Sequence, residues 1–233
     1  MPSPFKQPWH FDKFKEDQEG EYVKRIGVLQ GDWKADIELA RSKVFQFQNY
    51  NEQRYDHAAN KKSEGHVVED SENPDGKPEA TMFRKINYDK YPGEFPMFTK
   101  ITDMLEFDTT QKLTCKFNDQ FPNDQLMWHI DNLPGNPRKE RVHTSEFKYQ
   151  SPDKLRVLIT LEDHEPGQVF QFGNIVYTQW KAGTIFAWEW STLPHATWNG
   201  SWIKRPCLQI TGTATNATWD IINNGSTKKE YKI

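Results

Sequence analysis

Cysteine is scarce in this chain: Cys115 and Cys207 are its only two in 233 residues, too few for a disulfide scaffold or a cysteine-rich zinc module. Aliphatic bulk is also low. Leu, Ile, Val and Phe together number 48, near the compositional border below which chains fail to bury a core. No run approaches the roughly 18 apolar residues that a membrane-spanning helix needs, and the opening MPSPFKQPWHFDKFKED contains no apolar h-region of a secretory signal. Neither sign of charge dominates, with 30 Lys+Arg against 33 Asp+Glu and a formal net charge of -3, so the electrostatic footprint of a nucleic-acid binder is missing. These absences together lead us to expect a soluble, cytoplasmic protein that engages neither membrane nor nucleic acid. Three Asn-x-Ser/Thr triplets, at Asn199, Asn216 and Asn224, are read as turn chemistry or coincidence.

What is abundant is aromatic: 9 Trp, 8 Tyr and 15 Phe. With a small net charge, this argues for a folded domain whose core is aromatic rather than aliphatic. The length fits one domain, 1–233. Residues 1–94 are expected to be a helical and loop decoration, 95–213 the core, and 214–233 a C-terminal extension. The stretch 51–80 is polar, carries Pro74 and Pro78, and reads as a long loop.

Helical spacing of Trp33, Ile37, Ala40 and Val44 predicts a helix over 32–44, and Phe98, Ile101, Met104 and Leu105 predict another over 95–107, entered by Pro96. A strand is expected at 82–88. From residue 112 the pattern turns to short strands bounded by turn residues: 113–117, 125–130, 155–161, 169–172, 175–180, 184–190, 196–198 and 202–213. Helices first and many strands later predict an α+β, mainly β, jelly-roll core with the N-terminal helices packed on one sheet.

The chemistry-bearing residues are few. In Trp128-His129-Ile130-Asp131, strand alternation would present His129 and Asp131 on one side. His195 follows the expected strand 184–190. Two imidazoles and one carboxylate form the facial set of non-haem Fe(II) oxygenases, and zinc could use the same ligands. Ten residues after His195 comes Arg205, across Trp198-Asn199-Gly200-Ser201-Trp202. A three-residue loop with Gly200 left-handed would pair Trp198 with Trp202 and set Arg205 opposite His195. A two-residue Asn-Gly turn would send the two side chains to opposite faces. The functional reading therefore requires the bulged hairpin, with Arg205 gripping a carboxylate in the same cavity.

In His129-Ile130-Asp131, His195 and Arg205 the chain resembles the Fe(II)- and 2-oxoglutarate-dependent dioxygenases, over roughly 95–213. Glu165-Pro166-Gly167-Gln168-Val169-Phe170-Gln171-Phe172 is similar to the Gly-rich hairpin of prolyl hydroxylases, with one Gly where they often have two. His195-Ala196-Thr197-Trp198-Asn199 is similar to aspartyl/asparaginyl β-hydroxylases. The resemblance implies a double-stranded β-helix, with iron on His129, Asp131 and His195 as the catalytic centre. It implies 2-oxoglutarate as cosubstrate held by Arg205, O2 as oxidant and ascorbate as a supporting reductant. Hydroxylation of a small-molecule or peptidyl substrate, with release of succinate and CO2, is the implied reaction. Asp131, which halogenating relatives lose, favours hydroxylation over halogenation. Some members carry a Ser two residues after the Arg; this chain has Cys207, a poor donor, so Thr160 and Tyr177 become candidates for the second contact to the cosubstrate.

Substrate contacts are expected from Trp128, Gln171, Trp188 and Arg138, the last in the basic loop 137–143. Trp190 could join the wall, although large aromatics serve cores equally well. His143 and His164 are spare imidazoles not expected to bind metal. Two rivals remain: a non-catalytic Trp-rich β-sandwich that binds a carbohydrate-like ligand, and a cupin-like metalloenzyme without 2-oxoglutarate, which would favour an H-x-H ligand pair that is not seen here.

Overall fold

The computed structural model describes residues 23–47, 84–129, 154–188 and 193–233. Asp131, Arg138, His143, Trp190 and the stretch 51–80 lie outside the described residues, and His129 is described by its backbone alone.

In chain order the elements are β1 (Val23–Gln30), α1 (Lys34–Phe47), β2 (Arg84–Asn87), a 3-10 turn (Tyr88–Lys90), α2 (Pro96–Met104), β3 (Thr114–Gln120), β4 (Gln125–His129) and β5 (Lys154–Thr160). They continue with β6 (Gln168–Phe172), β7 (Ile175–Tyr177), β8 (Thr184–Trp188), β9 (His195–Asn199), β10 (Arg205–Thr213), α3 (Asn216–Asn223) and β11 (Glu230–Lys232). The strands form a seven-stranded sheet, ordered β11-β1-β8-β5-β10-β3-β2, and a four-stranded sheet, ordered β4-β9-β6-β7. Between β3 and β10 the chain passes back and forth between these sheets, and the pairs it makes there are antiparallel. That alternation is the strand order of a jelly roll, or double-stranded β-helix.

The central strands β5 and β8 are buried on both faces, which explains their apolar runs at 157–159 and 185–188. Along β8, Ile185 and Ala187 join one core while Phe186 and Trp188 join another; along β5, Val157 and Ile159 join the first and Leu158 the second. The period of two divides each strand cleanly. The first core also contains Trp33, Ile37 and Ala40 of α1 and its entry, and Phe98 and Ile101 of α2. The second, between the sheets, is aromatic, built on Phe170, Phe172, Tyr177, Trp180, Phe186 and Trp188.

Polar contacts fasten the helices. The Trp33 indole donates to Leu161 O at 2.7 Å. Arg41 of α1 grips the buried Asp119 of β3 and reaches Glu162. Asp36 caps a helix that is not its own: one carboxylate oxygen accepts the Met97 and Phe98 amides of α2, both at 2.9 Å, where Phe95 at the N-cap position offers no side-chain acceptor. Burial raises the Asp36 carboxyl above its usual range, opposed by those two N–H bonds. Among the described residues no helix is long and apolar enough to cross a membrane.

Three elements lie outside the strands and helices expected. Within 1–94, β1 enters the large sheet between β8 and β11, with a bulge between Arg25 and Gly27. In 214–233, α3 forms under a Thr215–Thr218 capping box, and β11 pairs in parallel with β1.

The hairpin expected between Trp198 and Trp202 does not form. β9 belongs to the four-stranded sheet and β10 to the seven-stranded one, and Trp198 pairs instead with Gln125 and Val169. The physical reason lies in Asn199, fully buried. Its amide donates to Gln120 O and Ile203 O, and its carbonyl accepts the Ser201 amide and hydroxyl. This knot turns the chain from one sheet to the other. It also gives the Asn199-Gly200-Ser201 triplet the turn role anticipated for it. The left-handed residue is Gly167 in the facing loop, at φ +95, where an added Cβ would fall 2.8 Å from the Gly200 carbonyl carbon.

Candidate functional site

The site starts from a register. His129, the last residue of β4, is the backbone partner of His195, the first residue of β9, and His195 is flanked on its other side by Phe172 of β6. The pairing of β4 with β9 shifts between Leu126 and His129, an irregularity of the kind that re-aims residues beside active sites.

The His195 side chain is buried, at 8% exposure. Its Nδ1 lies 3.1 Å from Leu193 O. A carbonyl only accepts, so this contact requires a protonated Nδ1 and makes Nε2 the lone-pair nitrogen that a divalent metal takes. Phe172 stacks beside the ring at 6.0 Å, and Trp188 meets it edge-on at 5.3 Å. Among the described residues no group of three His, Cys, Asp or Glu side chains converges; of the expected metal ligands, only the His195 side chain is described.

Arg205, the first residue of β10, is 3% exposed. Its NH1 donates to Val169 O at 2.9 Å and Trp198 O at 3.2 Å, and its NH2 to Gln120 Oε1 and Thr197 Oγ1. The guanidinium lies 4.0 Å over the Phe170 ring. All four acceptors are neutral, and among the described residues no carboxylate pairs with it. Burial pushes the guanidinium down to about 9, with Cys207 opposing. A buried cation without an acid is costly to hold, which fits a site whose counter-charge arrives with a ligand. Arg205 therefore reaches the interior by the sheet-to-sheet crossover and not through the expected hairpin.

A cavity lies between the sheets, where His195, Phe170, Phe172, Trp188, Thr197 and Cys207 line part of its wall. Among the described residues, Arg205 Nε, Trp180 Nε1 and Trp188 Nε1 are buried donors that find no acceptor. Cys207 is pushed up to about 12 by burial, so at neutral pH it is a thiol and a poor nucleophile.

The remaining expected residues divide. Trp188 lines the cavity beside His195. The Thr160 hydroxyl already donates to Lys181 O at 2.8 Å. Tyr177 packs in the aromatic core against Phe172 and Phe186, with the Arg25 guanidinium 5.1 Å over its ring. Gln171 departs from expectation. Alternation puts Phe170 and Phe172 inside, so Gln171 falls on the opposite face, where it lines an outer groove with Trp128. His164 contacts Gln168 O at 3.1 Å and meets Trp180 edge-on. Gln120 and Thr197, which hold Arg205, were not singled out. Nothing in their sequence surroundings marks them, because they meet Arg205 only once the two sheets close.

No family model matches the chain, and no curated protein matches it. Among solved structures it is similar to a cupin 2 conserved barrel domain protein from Salinispora arenicola, at 8% identity and a TM-score of 0.33, covering 60% of this chain and 82% of that one. It is also similar to the cupin_2 domain of an XRE family transcriptional regulator from Enterobacter cloacae (10% identity, TM-score 0.31, 47% and 90% covered). A third is a cupin domain from Bordetella pertussis (10% identity, TM-score 0.29, 45% and 84% covered). The assignment to the jelly-roll class rests on the strand order itself.

Proposed function

We propose that the chain is an Fe(II)- and 2-oxoglutarate-dependent oxygenase that hydroxylates a C–H bond of a small-molecule or peptidyl substrate. The observation that carries this reading is the pairing of His129 with His195 in a jelly roll whose next strand opens on a buried Arg205 that meets no carboxylate among the described residues. His129, Asp131 and His195 would hold the iron, and Arg205 the far carboxylate of the cosubstrate. Bound iron and 2-oxoglutarate would supply the oxidising chemistry, with succinate and CO2 as co-products.

The chain's own residues have separate tasks. The Leu193 O contact at Nδ1 would orient the His195 ring and leave Nε2 as the nitrogen for the metal. Gln120 and Thr197 hold the guanidinium plane, and an arriving carboxylate would compete with them for NH2. Phe170, Phe172 and Trp188 give the cavity an apolar wall, and Arg205 lies against Phe170 and Thr197 of that wall. Thr160 would serve as a second donor only by exchanging its bond to Lys181 O, and Tyr177 is the other candidate.

The test is anaerobic titration of Fe(II)-reconstituted protein with 2-oxoglutarate, reading the weak visible charge-transfer band of the chelate. The band is expected in wild type, lost in His195→Ala, and shifted to far higher cosubstrate concentration in Arg205→Ala. Bound iron without a band overturns the reading.

A further inference from the structure

The four-stranded sheet has a second face. Along β6, Phe170 and Phe172 point into the barrel, and the residues out of phase with them, Val169 and Gln171, line a groove on the other side. Trp128 and Trp198 border it at 45% and 52% exposure. Trp198 has Gln125 and Val169 as its backbone partners on either side, and Gln171 is opposite Ala196. The groove thus combines two half-exposed indoles with two carboxamides, and among the described residues no ionisable side chain lines it.

Rigidity adds to the case. The Trp198 indole lies against Gly200, where a Cβ would come within 3.1 Å of the ring. Gly200 donates to Gly167 O at 2.8 Å, and the buried Asn199–Ser201 knot holds the same loop. An aromatic set on a fixed backbone loses little freedom when it binds. Large exposed aromatics on an otherwise well-buried domain mark interaction surfaces.

We infer that this outer groove is a binding site for a neutral carbohydrate, on the outer side of strands whose Leu126, Ala196 and Thr197 also line the interior cavity. The described lining residues carry no charge, which disfavours an ionic partner. Flat indole faces match the C–H faces of a pyranose ring, and the Gln125 and Gln171 carboxamides can both donate to and accept from its hydroxyls. A purely apolar partner would leave those carboxamides desolvated and unpaired. The inference does not rest on the oxygenase reading: it concerns the opposite face of the sheet and needs neither metal nor cosubstrate.

The experiment is tryptophan-fluorescence titration of the full chain with maltohexaose, cellohexaose and chitohexaose, with heparin as a charged comparison. A saturable change with at least one neutral hexasaccharide is expected. Trp198→Ala should weaken it by about tenfold or more, the scale of removing one aromatic anchor, and Gln171→Ala should weaken it less. Trp198→Tyr, which keeps a ring on the platform and guards against misfolding of the alanine variant, should retain binding. Three outcomes overturn the inference: no response to any neutral hexasaccharide, an affinity indifferent to Trp198→Ala, or a response to heparin alone. A wild-type dimer in light scattering that Trp198→Ala converts to monomer would also overturn it, assigning the groove to a second copy of the chain.

Discussion

His129 and His195 are backbone partners across β4 and β9, although 65 intervening positions separate them in the chain. The strand carrying His195 also supplies Thr197 and the Trp198 carbonyl to Arg205. One short strand thus touches both halves of the proposed site. Its position is set at one end by the Leu193–His195 contact and at the other by the Asn199 knot. Small changes in β9 should therefore couple the imidazole and guanidinium ends of the cavity.

Arg205 gives the first prediction. The buried guanidinium has no acid partner among the described residues, so a dicarboxylate should stabilise the fold; at a hundredfold excess over Kd the gain is about 2.7 kcal/mol. Arg205→Gln should abolish that gain in a thermal melt. The pH dependence follows from the depressed pKa of about 9. Below it the folded protein carries the charge and binds the anion. Above it the ligand-free fold gives up a proton that the unfolded chain keeps, so this group's burden on stability is relieved as pH rises. Stabilisation by 2-oxoglutarate should hold from pH 6 to 8 and decline beyond about 9. A gain unchanged in Arg205→Gln would separate the ligand from this residue.

The two thiols give the second. Burial pushes both Cys115 and Cys207 up to about 12. A raised thiol pKa leaves stability intact below the ordinary thiol value and erodes it as pH rises toward the folded value. At pH 8 a disulfide reagent should label neither cysteine in the native protein and both in denaturant. Because Cys207 lines the cavity, any slow native labelling at that position measures opening of the barrel. Rapid labelling of the native state would contradict the packing described.

How much of this was legible in the sequence depends on where each signal came from. The stretch 155–161 and the one beginning at 184 announced themselves as strands because burial on both faces demands unbroken apolar runs. β1 gave no such signal. Its buried Ile26 and Leu29 face one core three residues apart because the bulge between Arg25 and Gly27 breaks the period of two, while Val23 faces the other core. β11, of three residues, is too short to carry a pattern. His195 and Arg205 stood out because ordered His, Asp and Arg residues are rare together. Gln120 and Thr197 did not, since an acceptor from another strand acquires meaning only after the sheets meet. The crossover after β9 was misread for a related reason: Asn-Gly-Ser is good hairpin chemistry, and only the buried amide of Asn199 turns it into a passage between sheets.

Asp36 carries a third prediction, about stability alone. It supplies the N-terminal acceptor for α2 from a different helix. Asp36→Ala leaves two amides without a partner and should cost about 1–2 kcal/mol in urea unfolding. Asp36→Asn should stay near wild type. One oxygen makes both contacts, an amide oxygen can replace it, and no charge is then buried. An alanine variant as stable as wild type would remove the capping role.

Asn199 ties stability to the site. Its side chain has no exposure and makes hydrogen bonds to Gln120 O, Ile203 O and Ser201. Asn199→Ala strands several buried partners, each costing about 1–3 kcal/mol when left unsatisfied, so a clear drop in the denaturant midpoint is expected. The consequence reaches further, because Gln120 also holds Arg205 through its Oε1. Loosening the Gln120 backbone should weaken the grip on the guanidinium and raise the 2-oxoglutarate concentration needed for half-saturation. Asn199→Asp tests the geometry separately. It keeps the acceptor toward Ser201 but loses the donors toward Gln120 and Ile203. If the aspartate variant, assayed below its melting point, binds the cosubstrate as wild type does, the path from Asn199 through Gln120 to Arg205 is absent. If it loses affinity while its far-ultraviolet spectrum is unchanged, the turn between the sheets and the anion grip are one device.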